Sequence, residues 1–362
     1  MKFEIAAGLV SVTVMYLLFW PVPIEPVAWD APVDGGLVDP FTPNDRLRKA
    51  RLIDLGEHAG PEDVTADRNG LIYTATDDGL IIRMQPDGSN IEIFAETGGR
   101  PLGLEFDQAG NLFVANSYLG LQKVSPEGSV EVLVDSYAGE PITYTDDVAV
   151  ASNGIIYFSD ASSKFGAMKS GGSYKASLLD ILEHGGNGRV YSYDQRTGEI
   201  AIVMDGLNFA NGVAVSEDQS YLLVNETANY RVWRHWLVGP DTGKSEVIID
   251  NLPGFPDNIN SGLNGNFWVG LVAPRNQLLD DLSGKPFIRK MVQRLPAFFR
   301  PKAKPSSHVI SISGDGDVLM NLQDTAATVP ALTGVYESKD TLWLTSLFGN
   351  RLARLDKADL QR

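Results

Sequence analysis

The chain contains 362 residues, of which 43% are apolar and 21% are charged, a composition typical of a globular protein and not of a disordered or collagen-like one. Its 46 acidic and 30 basic side chains give a net charge of −16, which disfavours nucleic-acid binding because phosphate backbones need a basic surface. The absence of Cys excludes disulfides, thiolate metal ligands and thiol nucleophiles, and the four His lack the HxxxH spacing of zinc sites.

The N-terminal segment is strongly apolar. Residues 5–20 carry no charge over 16 positions, and Pro21 and Pro23 follow. A spanning helix needs roughly 20 apolar residues, so the flanking positions must contribute to any span. Three interpretations of residues 1–24 stay open: an uncleaved membrane anchor, a cleaved signal peptide, or a buried helix of the globular domain. An anchor predicts a single N-terminal membrane helix with the folded domain on the extracytoplasmic side. Residues 25–48, rich in Pro and Asp, are interpreted as a linker.

One pattern recurs along the rest of the chain. A turn containing Asp, Asn or Gly precedes a short β-rich run, and a second alternating strand follows. The first runs of the six copies are DRNGLIYTAT (67–76), DQAGNLFVAN (107–116), ASNGIIYFSD (151–160), SEDQSYLLVNE (216–226), GLNGNFWVGL (262–271) and SKDTLWLTSL (338–347). Self-similarity at a period of roughly 40–50 residues is typical of β-propellers, whose blades have four strands.

The repeat predicts an all-β protein with a six-bladed β-propeller over residues 49–362, preceded by a hydrophobic anchor helix. Two gaps between copies are longer than the others. Their excess residues, 161–187 and 274–307, are interpreted as loop insertions. Two separate β-sandwich domains are the alternative, which the even composition along the chain disfavours.

The start of each innermost strand is predicted to lie near the propeller axis. The residues eight positions before the turn of each copy are Glu62, Leu102, Asp146, Asn211, Asp257 and Leu332. Four of these are oxygen donors and three are carboxylates, which repel one another when packed together unless some are protonated or a cation neutralises them. Asp63, Asp147 and Asn258 add further donors at the next positions.

A hard divalent cation fits this set of donors. Ca²⁺ takes six to eight oxygens from carboxylates, amides and water, whereas Zn²⁺ is disfavoured without Cys or clustered His. We therefore predict a Ca²⁺ site on the axis. The alternative is that these Asp and Asn side chains cap loops and bond to the backbone.

Five segments resemble the strictosidine synthase-like family. They are GPEDV (60–64), TDDVAV (145–150), YFSDASSKF (157–165), NFANGVAVS (208–216) and LPGFPDNI (252–259). The chain is most similar to the membrane-associated subgroup, within a clan that also holds the paraoxonases and the senescence-marker/gluconolactonase proteins. The resemblance implies a propeller, often with an axial Ca²⁺, that hydrolyses esters or lactones. The metal ligands that it implies are Glu62, Asp146, Asn211, Asp257 and Asn258.

Two positions depart from the catalytic patterns of that clan. Paraoxonases have a catalytic His near the position of Leu102, and strictosidine synthases have a Glu near that of Thr333. Neither Leu nor Thr accepts a proton at neutral pH, so condensation of the strictosidine synthase type is disfavoured.

A membrane-anchored, Ca²⁺-dependent hydrolase acting on a small ester or lactone remains the main prediction. Asp147, Asp257 and Glu226 are its candidate catalytic carboxylates. A propeller without catalysis, which binds a ligand or a protein partner, is the alternative.

The insertion at 274–307 contains a basic and apolar segment, residues 286–304. The spacing of Ile288, Met291 and Leu295 fits one face of a helix. Such a segment can lie on anionic lipid, cover a pocket or form a plain surface helix, and all three interpretations stay open.

Overall fold

Six four-stranded antiparallel sheets surround a central axis in the structure, a computed structural model that describes residues 2–361, with the side chains of residue 4 and of residues 11–360. The innermost strands of neighbouring sheets contact one another around the axis. The predicted six-bladed β-propeller is therefore confirmed.

The first five blades follow the chain order, each from its innermost strand outward. Blade 1 comprises Val64–Ala66 (β2), Ile72–Ala75 (β3), Leu80–Met84 (β4) and Glu92–Glu96 (β5). Blade 2 comprises Pro101–Phe106 (β6), Leu112–Asn116 (β7), Gly120–Val124 (β8) and Val130–Val134 (β9), and a short hairpin, Ser136–Tyr137 (β10) and Glu140–Pro141 (β11), follows it. Blade 3 comprises Thr145–Val150 (β12), Ile155–Asp160 (β13), Gly188–Asp194 (β14) and Ile200–Leu207 (β15). Blade 4 comprises Ala210–Val215 (β16), Tyr221–Glu226 (β17), Arg231–Trp236 (β18) and Ser245–Ile249 (β19). Blade 5 comprises Gly254–Ser261 (β20), Phe267–Pro274 (β21), Ser307–Ile312 (β22) and Val318–Asp324 (β23).

Blade 6 joins the two ends of the propeller. Its inner strands are Leu332–Glu337 (β24), Thr341–Ser346 (β25) and Arg351–Asp356 (β26), and its outermost strand is Arg51–Asp54 (β1). Strand β1 runs antiparallel to β26, with Arg51 opposite Arg354 and Asp54 opposite Arg351. The ring is thus closed by backbone pairing between the first and last strands.

The repeated turns explain why each copy forms a hairpin. In blade 1 the Asp67 carboxylate accepts the backbone N–H groups of Asn69 and Leu71, each at 2.9 Å. Asp107 accepts the corresponding two N–H groups in blade 2. The turn glycine Gly70 has a φ of 82°, a left-handed conformation that favours Gly.

The hydrophobic core lies between the blades. Each pair of neighbouring blades shares one cluster of buried side chains, so six clusters surround the axis. Two fully buried tryptophans illustrate the arrangement, since Trp268 packs between blades 5 and 6 and Trp343 between blades 6 and 1. Alternating inward-facing residues on each strand supply this packing.

Four α-helices of the described residues lie outside the blades. They are Lys2–Phe19 (α1), Ser173–Glu183 (α2), Gln277–Asp281 (α3) and Pro286–Arg294 (α4). Short 3-10 helices cover Thr227–Asn229, Leu263–Gly265, Ala297–Phe299 and Lys357–Gln361. Helix α2 lies in the predicted insertion 161–187, and α3 and α4 lie in 274–307. No helix in the part of the chain that the structure describes has the length and apolar character needed to cross a membrane.

The segment interpreted as a linker packs along the propeller. The Val27 N–H donates to Glu183 O at 2.9 Å, and the Trp29 indole stacks on His184 with ring centroids 4.0 Å apart. Further along, the Asn321 amide donates to Thr42 O at 2.9 Å. The domain boundaries at residues 24 and 48 stay a prediction.

Candidate functional site

A cavity of about 540 Å³ opens where the innermost strands begin. Five of the six predicted axial positions line it, namely Glu62, Leu102, Asp146, Asn211 and Asp257. The sixth, Leu332, packs into the apolar cluster between blades 5 and 6. Five different blades therefore contribute one side chain each to a shared cavity floor.

The walls of the cavity are largely apolar and come mainly from the two insertions. Helix α2 contributes one side of the wall, α3 a second, and α4 with the residues after it a third. The apolar wall residues include Leu178, Leu179, Ile181, Leu182, Phe209, Phe255, Leu278, Leu279, Leu282 and Val292. A polar floor under apolar walls is the usual construction of a small-molecule site.

Several floor oxygens have no hydrogen-bond partner. The Asn211 amide donates to Asp257 Oδ1 at 2.6 Å, and the Asn258 amide donates to Glu62 O at 3.0 Å. Among the described residues, no donor reaches the buried oxygens Glu62 Oε2, Asn211 Oδ1 or Asn258 Oδ1. Buried polar atoms are normally paired, so these three unpaired oxygens indicate a missing positively charged or donor group.

The floor carboxylates disfavour one another's charge. Burial raises the pKa of Glu62 well above its usual range, and the nearby Asp257 and Asp63 raise it further. Burial likewise raises the pKa of Asp146 well above its usual range, with added repulsion from Glu62 and Asp257. Burial raises the pKa of Asp257 to about 7, although the hydrogen bond from Asn211 opposes the shift.

Arg100 is a buried basic residue near the cavity floor that the sequence analysis missed. Its buried guanidinium donates to Gly60 O at 2.9 Å, and its positive charge lowers the pKa of both Glu62 and Asp146. The sequence feature that could have identified it is the position of a basic residue two places before the axial Leu102. One guanidinium offsets only part of the charge of three carboxylates.

The floor residues fit a hard divalent cation. Glu62, Asp146, Asn211 and Asp257 offer carboxylate and amide oxygens at the cavity, and Asn258, which follows Asp257 in the chain, has an unpaired buried oxygen. This mixture of oxygen donors matches the preference of Ca²⁺. Within the described residues, no three His, Asp or Glu side chains are close enough together to coordinate a metal ion. Carboxylates alone therefore do not form the site, and the Asn211 and Asn258 amide oxygens must also act as ligands. The predicted ligand set stays a prediction.

The three candidate catalytic carboxylates occupy different environments. Asp257 lines the cavity. Asp147 is buried between strands, where its Oδ1 and Oδ2 accept the backbone N–H groups of Val148 and Val213, each at 2.8 Å. Asp63 has a similar position and accepts the Leu104 N–H at 2.9 Å. Asp147 and Asp63 thus tie neighbouring blades together one layer from the floor.

Glu226 is engaged by several donors at the end of β17. Its Oε2 forms an ion pair with Arg231 at 2.6 Å and accepts the Trp233 indole N–H at 2.7 Å, while Oε1 accepts the Asn229 amide at 2.6 Å. Although burial acts in the opposite direction, these partners lower the pKa of Glu226. The structure therefore places Asp257 at the cavity floor. The Asp147 and Glu226 carboxylates instead accept hydrogen bonds from neighbouring strands.

Helix α4 covers one side of the cavity in an unusual orientation. Its buried residues are Arg289, Gln293 and Arg294, whereas Phe287 and Ile288 are exposed. Of the apolar face predicted from residues 288, 291 and 295, Ile288 is exposed, whereas Met291 and Leu295 are half-buried. The lid interpretation agrees with Val292 and Gln293, which line the cavity.

Comparison with known proteins places the chain in a family. A family profile for strictosidine synthase matches residues 146–240, and one for the N-terminal part of strictosidine synthase-like proteins matches residues 39–84. The adipocyte plasma membrane-associated protein of Salmo salar is 34% identical over 345 residues, covering 87% of this chain and 80% of that protein. The chain belongs to the strictosidine synthase-like family. The human protein of the same name is 31% identical over 369 residues, covering 94% of this chain and 85% of the human protein.

Solved structures support the fold of this family member. A gluconolactonase from Xanthomonas campestris superimposes with a TM-score of 0.61 at 17% identity, covering 86% of this chain and 90% of its own. A calcium-binding regucalcin from Agrobacterium tumefaciens superimposes with a TM-score of 0.58 at 14% identity, covering 84% and 92%. At these identities the likeness concerns the propeller itself.

The two departures from the family's catalytic patterns are visible in the structure. Leu102 places an apolar side chain on the cavity floor. The Thr333 hydroxyl is buried, donates to Glu62 O and lies 2.9 Å from Thr345 Oγ1. Tyr144, a further cavity residue that the sequence analysis missed, directs its hydroxyl to Ser173 O at 2.8 Å. This family member therefore offers carboxylates and amides as its reactive groups at the floor.

Proposed function

We propose that this chain is a Ca²⁺-dependent hydrolase of esters or lactones, acting on substrates with a substantial apolar part. The observation that carries the proposal is the cavity floor, which Glu62, Asp146 and Asp257 line beneath apolar walls. The structural similarity to a gluconolactonase and to a calcium-binding regucalcin supports it.

The floor residues have distinct roles in this proposal. Glu62, Asp146, Asn211, Asp257 and Asn258 would hold the cation, which when bound supplies a Lewis acid that polarises a substrate carbonyl. Asp257 accepts the proton of the attacking water, because its carboxylate faces the cavity. The Asn211 amide holds the Asp257 carboxylate in position.

The walls select the substrate and exclude water. Side chains such as Leu179, Phe209 and Phe255 contact the apolar part of the substrate, whose burial supplies binding energy. A dry cavity also strengthens the electrostatic effect of the floor on the reacting carbonyl. Condensation of the strictosidine synthase type is not proposed, because Thr333 has its hydroxyl committed to Glu62 O.

A propeller that binds a ligand without catalysis is the second candidate. Leu102 favours it, since an apolar residue occupies a floor position where a titratable one would assist catalysis. The same cavity and cation then serve only to retain the ligand.

We also propose a membrane location. The name of the relatives, plasma membrane-associated, supports it. A single-pass anchor within residues 1–24 and an extracytoplasmic propeller stay predictions from the apolar run at residues 5–20.

The proposal is tested by hydrolysis of phenyl acetate and of γ- and δ-lactones with increasing acyl length, in Ca²⁺ and in EGTA. We expect Ca²⁺-dependent turnover that falls by about 100-fold or more in Asp257→Asn, the usual effect of losing a general base. Glu226→Gln is the matched control, because it removes a buried carboxylate away from the cavity wall. No turnover of any substrate, together with a Ca²⁺-induced rise in melting temperature, would favour the binding propeller.

A further inference from the structure

An uncovered apolar surface adjoins the cavity. It consists of the C-terminal half of α1, Trp20, α4 and the 3-10 helix Ala297–Phe299, and we call it the apolar platform. Its exposed large side chains are Val12, Met15, Phe19, Trp20, Phe287, Ile288, Phe298 and Phe299. Phe19, Phe298 and Phe299 expose 68, 71 and 67% of their surface. A group of large apolar side chains of this size marks an interaction site.

Hydrogen bonds join the two parts of the apolar platform. The Arg294 guanidinium donates to Leu17 O at 3.0 Å and to Trp20 O at 2.5 Å. The Tyr16 hydroxyl donates back to Arg294 O at 3.0 Å. Arg294 thus satisfies carbonyl groups at the C-terminal end of α1, where a positive charge is also favourable for the helix dipole.

Helix α4 is oriented with its polar side toward the protein. Arg289 is completely buried and donates to Leu182 O at 3.0 Å and to Ser283 O at 3.1 Å. These bonds hold the helix by its polar face and leave Phe287 and Ile288 in solvent. A helix that packs on a protein core has the opposite orientation, whereas one that lies on lipid has this one.

Positive charge is concentrated beside the exposed aromatic side chains. Residues 285–304 contain seven basic side chains and no acidic one, in a chain with a net charge of −16. Arg289 and Arg294 are used internally. The lysine ion pairs among the described residues are those of Lys49, Lys164, Lys244 and Lys357. Lys285, Lys290, Lys302 and Lys304 therefore have their charge available for an anionic partner.

We propose that the apolar platform docks on the surface of an anionic lipid bilayer. The exposed aromatic side chains enter the interfacial layer, and the lysines contact anionic headgroups. A second copy of the chain fits less well, because a symmetric contact would bring the same lysines of both copies together.

Docking in this way places the cavity mouth at the lipid surface. Val292, Ala297 and Arg300 line the cavity, and they belong to the segment whose other side carries Phe298 and Phe299. An apolar molecule dissolved in the bilayer therefore reaches the cavity without crossing bulk water. The docking itself does not depend on catalysis by the floor residues.

A single introduced Cys tests the contact directly, because the natural chain has none. Full-length Phe298→Cys carries an NBD fluorophore and is mixed with phosphatidylcholine vesicles or with equimolar phosphatidylcholine and phosphatidylserine vesicles. We expect a blue shift of NBD emission and quenching by lipid nitroxides, stronger with phosphatidylserine. Phe19→Cys reports on α1. Leu319→Cys is the control, since Leu319 is 54% exposed on β23 at the opposite end of blade 5.

Two results would overturn the proposal. A response at position 19 without one at position 298 would show that α1 alone meets the lipid. A shift at position 298 that appears with protein concentration in the absence of vesicles, with dimers in sedimentation velocity, would make a second copy the occupant.

A pair of double substitutions that introduce negative charge provides the complementary test. Phe298→Asp/Phe299→Asp is expected to lower vesicle partitioning by about tenfold or more, because two aromatic side chains no longer enter the lipid. Leu319→Asp/Met320→Asp, also on exposed positions, is the matched control and keeps normal partitioning. Equal partitioning of both variants would contradict the docking surface.

Discussion

Replacing Asp147 by Asn should destabilise the propeller and spare its chemistry, whereas replacing Asp257 by Asn should do the reverse. The two carboxylates differ in what they contact. Both oxygens of Asp147 accept buried backbone N–H groups, from Val148 and from Val213 of the next blade. Asp257 accepts one side-chain amide, from Asn211, and faces the cavity.

The size of the stability effect follows from these bonds. An Asn at position 147 has one oxygen and one NH₂ group, so one buried N–H loses its acceptor and faces another donor. Leaving such a group unpaired costs about 1–3 kcal/mol. For a domain of this size we expect a fall in melting temperature of about 1–5 °C.

The variant at position 257 should behave differently. The Asn211 amide keeps an acceptor, and one of three mutually repelling carboxylates is removed. Without Ca²⁺ the melting temperature should therefore stay constant or rise. The Ca²⁺-induced stabilisation, about 2.7 kcal/mol at a free concentration of 100 times Kd, should be reduced in this variant.

Melting temperatures by circular dichroism, in EGTA and in Ca²⁺, together with initial rates per folded molecule, separate the two effects. A wild-type melting temperature with lost turnover in Asp147→Asn would refute the reasoning and make Asp147 the base. Full turnover in Asp257→Asn would remove Asp257 from the mechanism.

Three further predictions concern the scaffold. A Cβ at position 212 would lie 2.2 Å from a backbone nitrogen of the neighbouring innermost strand, so Gly212→Ala should lower the free energy of unfolding by at least about 1–3 kcal/mol. Gly284→Ala is the control, because a Cβ there would lie in open space and should change stability little. Urea denaturation measures both effects. Burial lowers the pKa of His308 to about 4, so the unfolded chain takes up this proton first as the pH falls below about 6.5. The stability of the wild type relative to that of His308→Gln should therefore drop from pH 6.5 toward 4, as followed by the difference between their melting temperatures. Glu226→Gln leaves Arg231 without its ion-pair partner and should lower stability by about 3–5 kcal/mol while keeping the folded fraction active, as measured by urea denaturation and by rates per folded molecule.

Each of these has a clear contradictory result. Equal urea midpoints for the two glycine variants would show that the strands can move apart at position 212. Parallel pH profiles of the wild type and His308→Gln would assign the acid sensitivity to other groups. A stable Glu226→Gln variant with lost turnover would place Glu226 in the reaction.

The repeat could be recognised in the sequence because every blade has a similar turn and a similar pattern of buried strand residues. A turn with Asp67 or Asp107 must satisfy the same two N–H groups, and the strands must bury the same side. Counting back from these turns also identified the five floor residues, since equivalent positions in a ring lie at equal heights on the axis.

Spacing alone did not distinguish the orientations of the two neighbouring carboxylates. Asp146 and Asp147 are consecutive on β12, and side chains alternate along a strand, so one lines the cavity and the other contacts β16. Arg100 and Tyr144 reach the site from positions next to the repeat, where the pattern assigns no role. The outward apolar side of α4 depends on Arg289 finding carbonyl partners on α2, which only the folded chain brings together.

The pairing of β1 with β26 makes closure of the ring a late event in the synthesis of the propeller. These strands are about 300 residues apart, so β1 leaves the ribosome long before its partner exists. At about 5–20 residues per second, the interval is of the order of 15–60 s. Blades 1 to 5 can form in that time, but the ring has two unpaired sheet edges, which are sites for aggregation. A chain that stops before Arg351 keeps those edges permanently, so premature termination even in the last few residues should produce a target for chaperones and proteases.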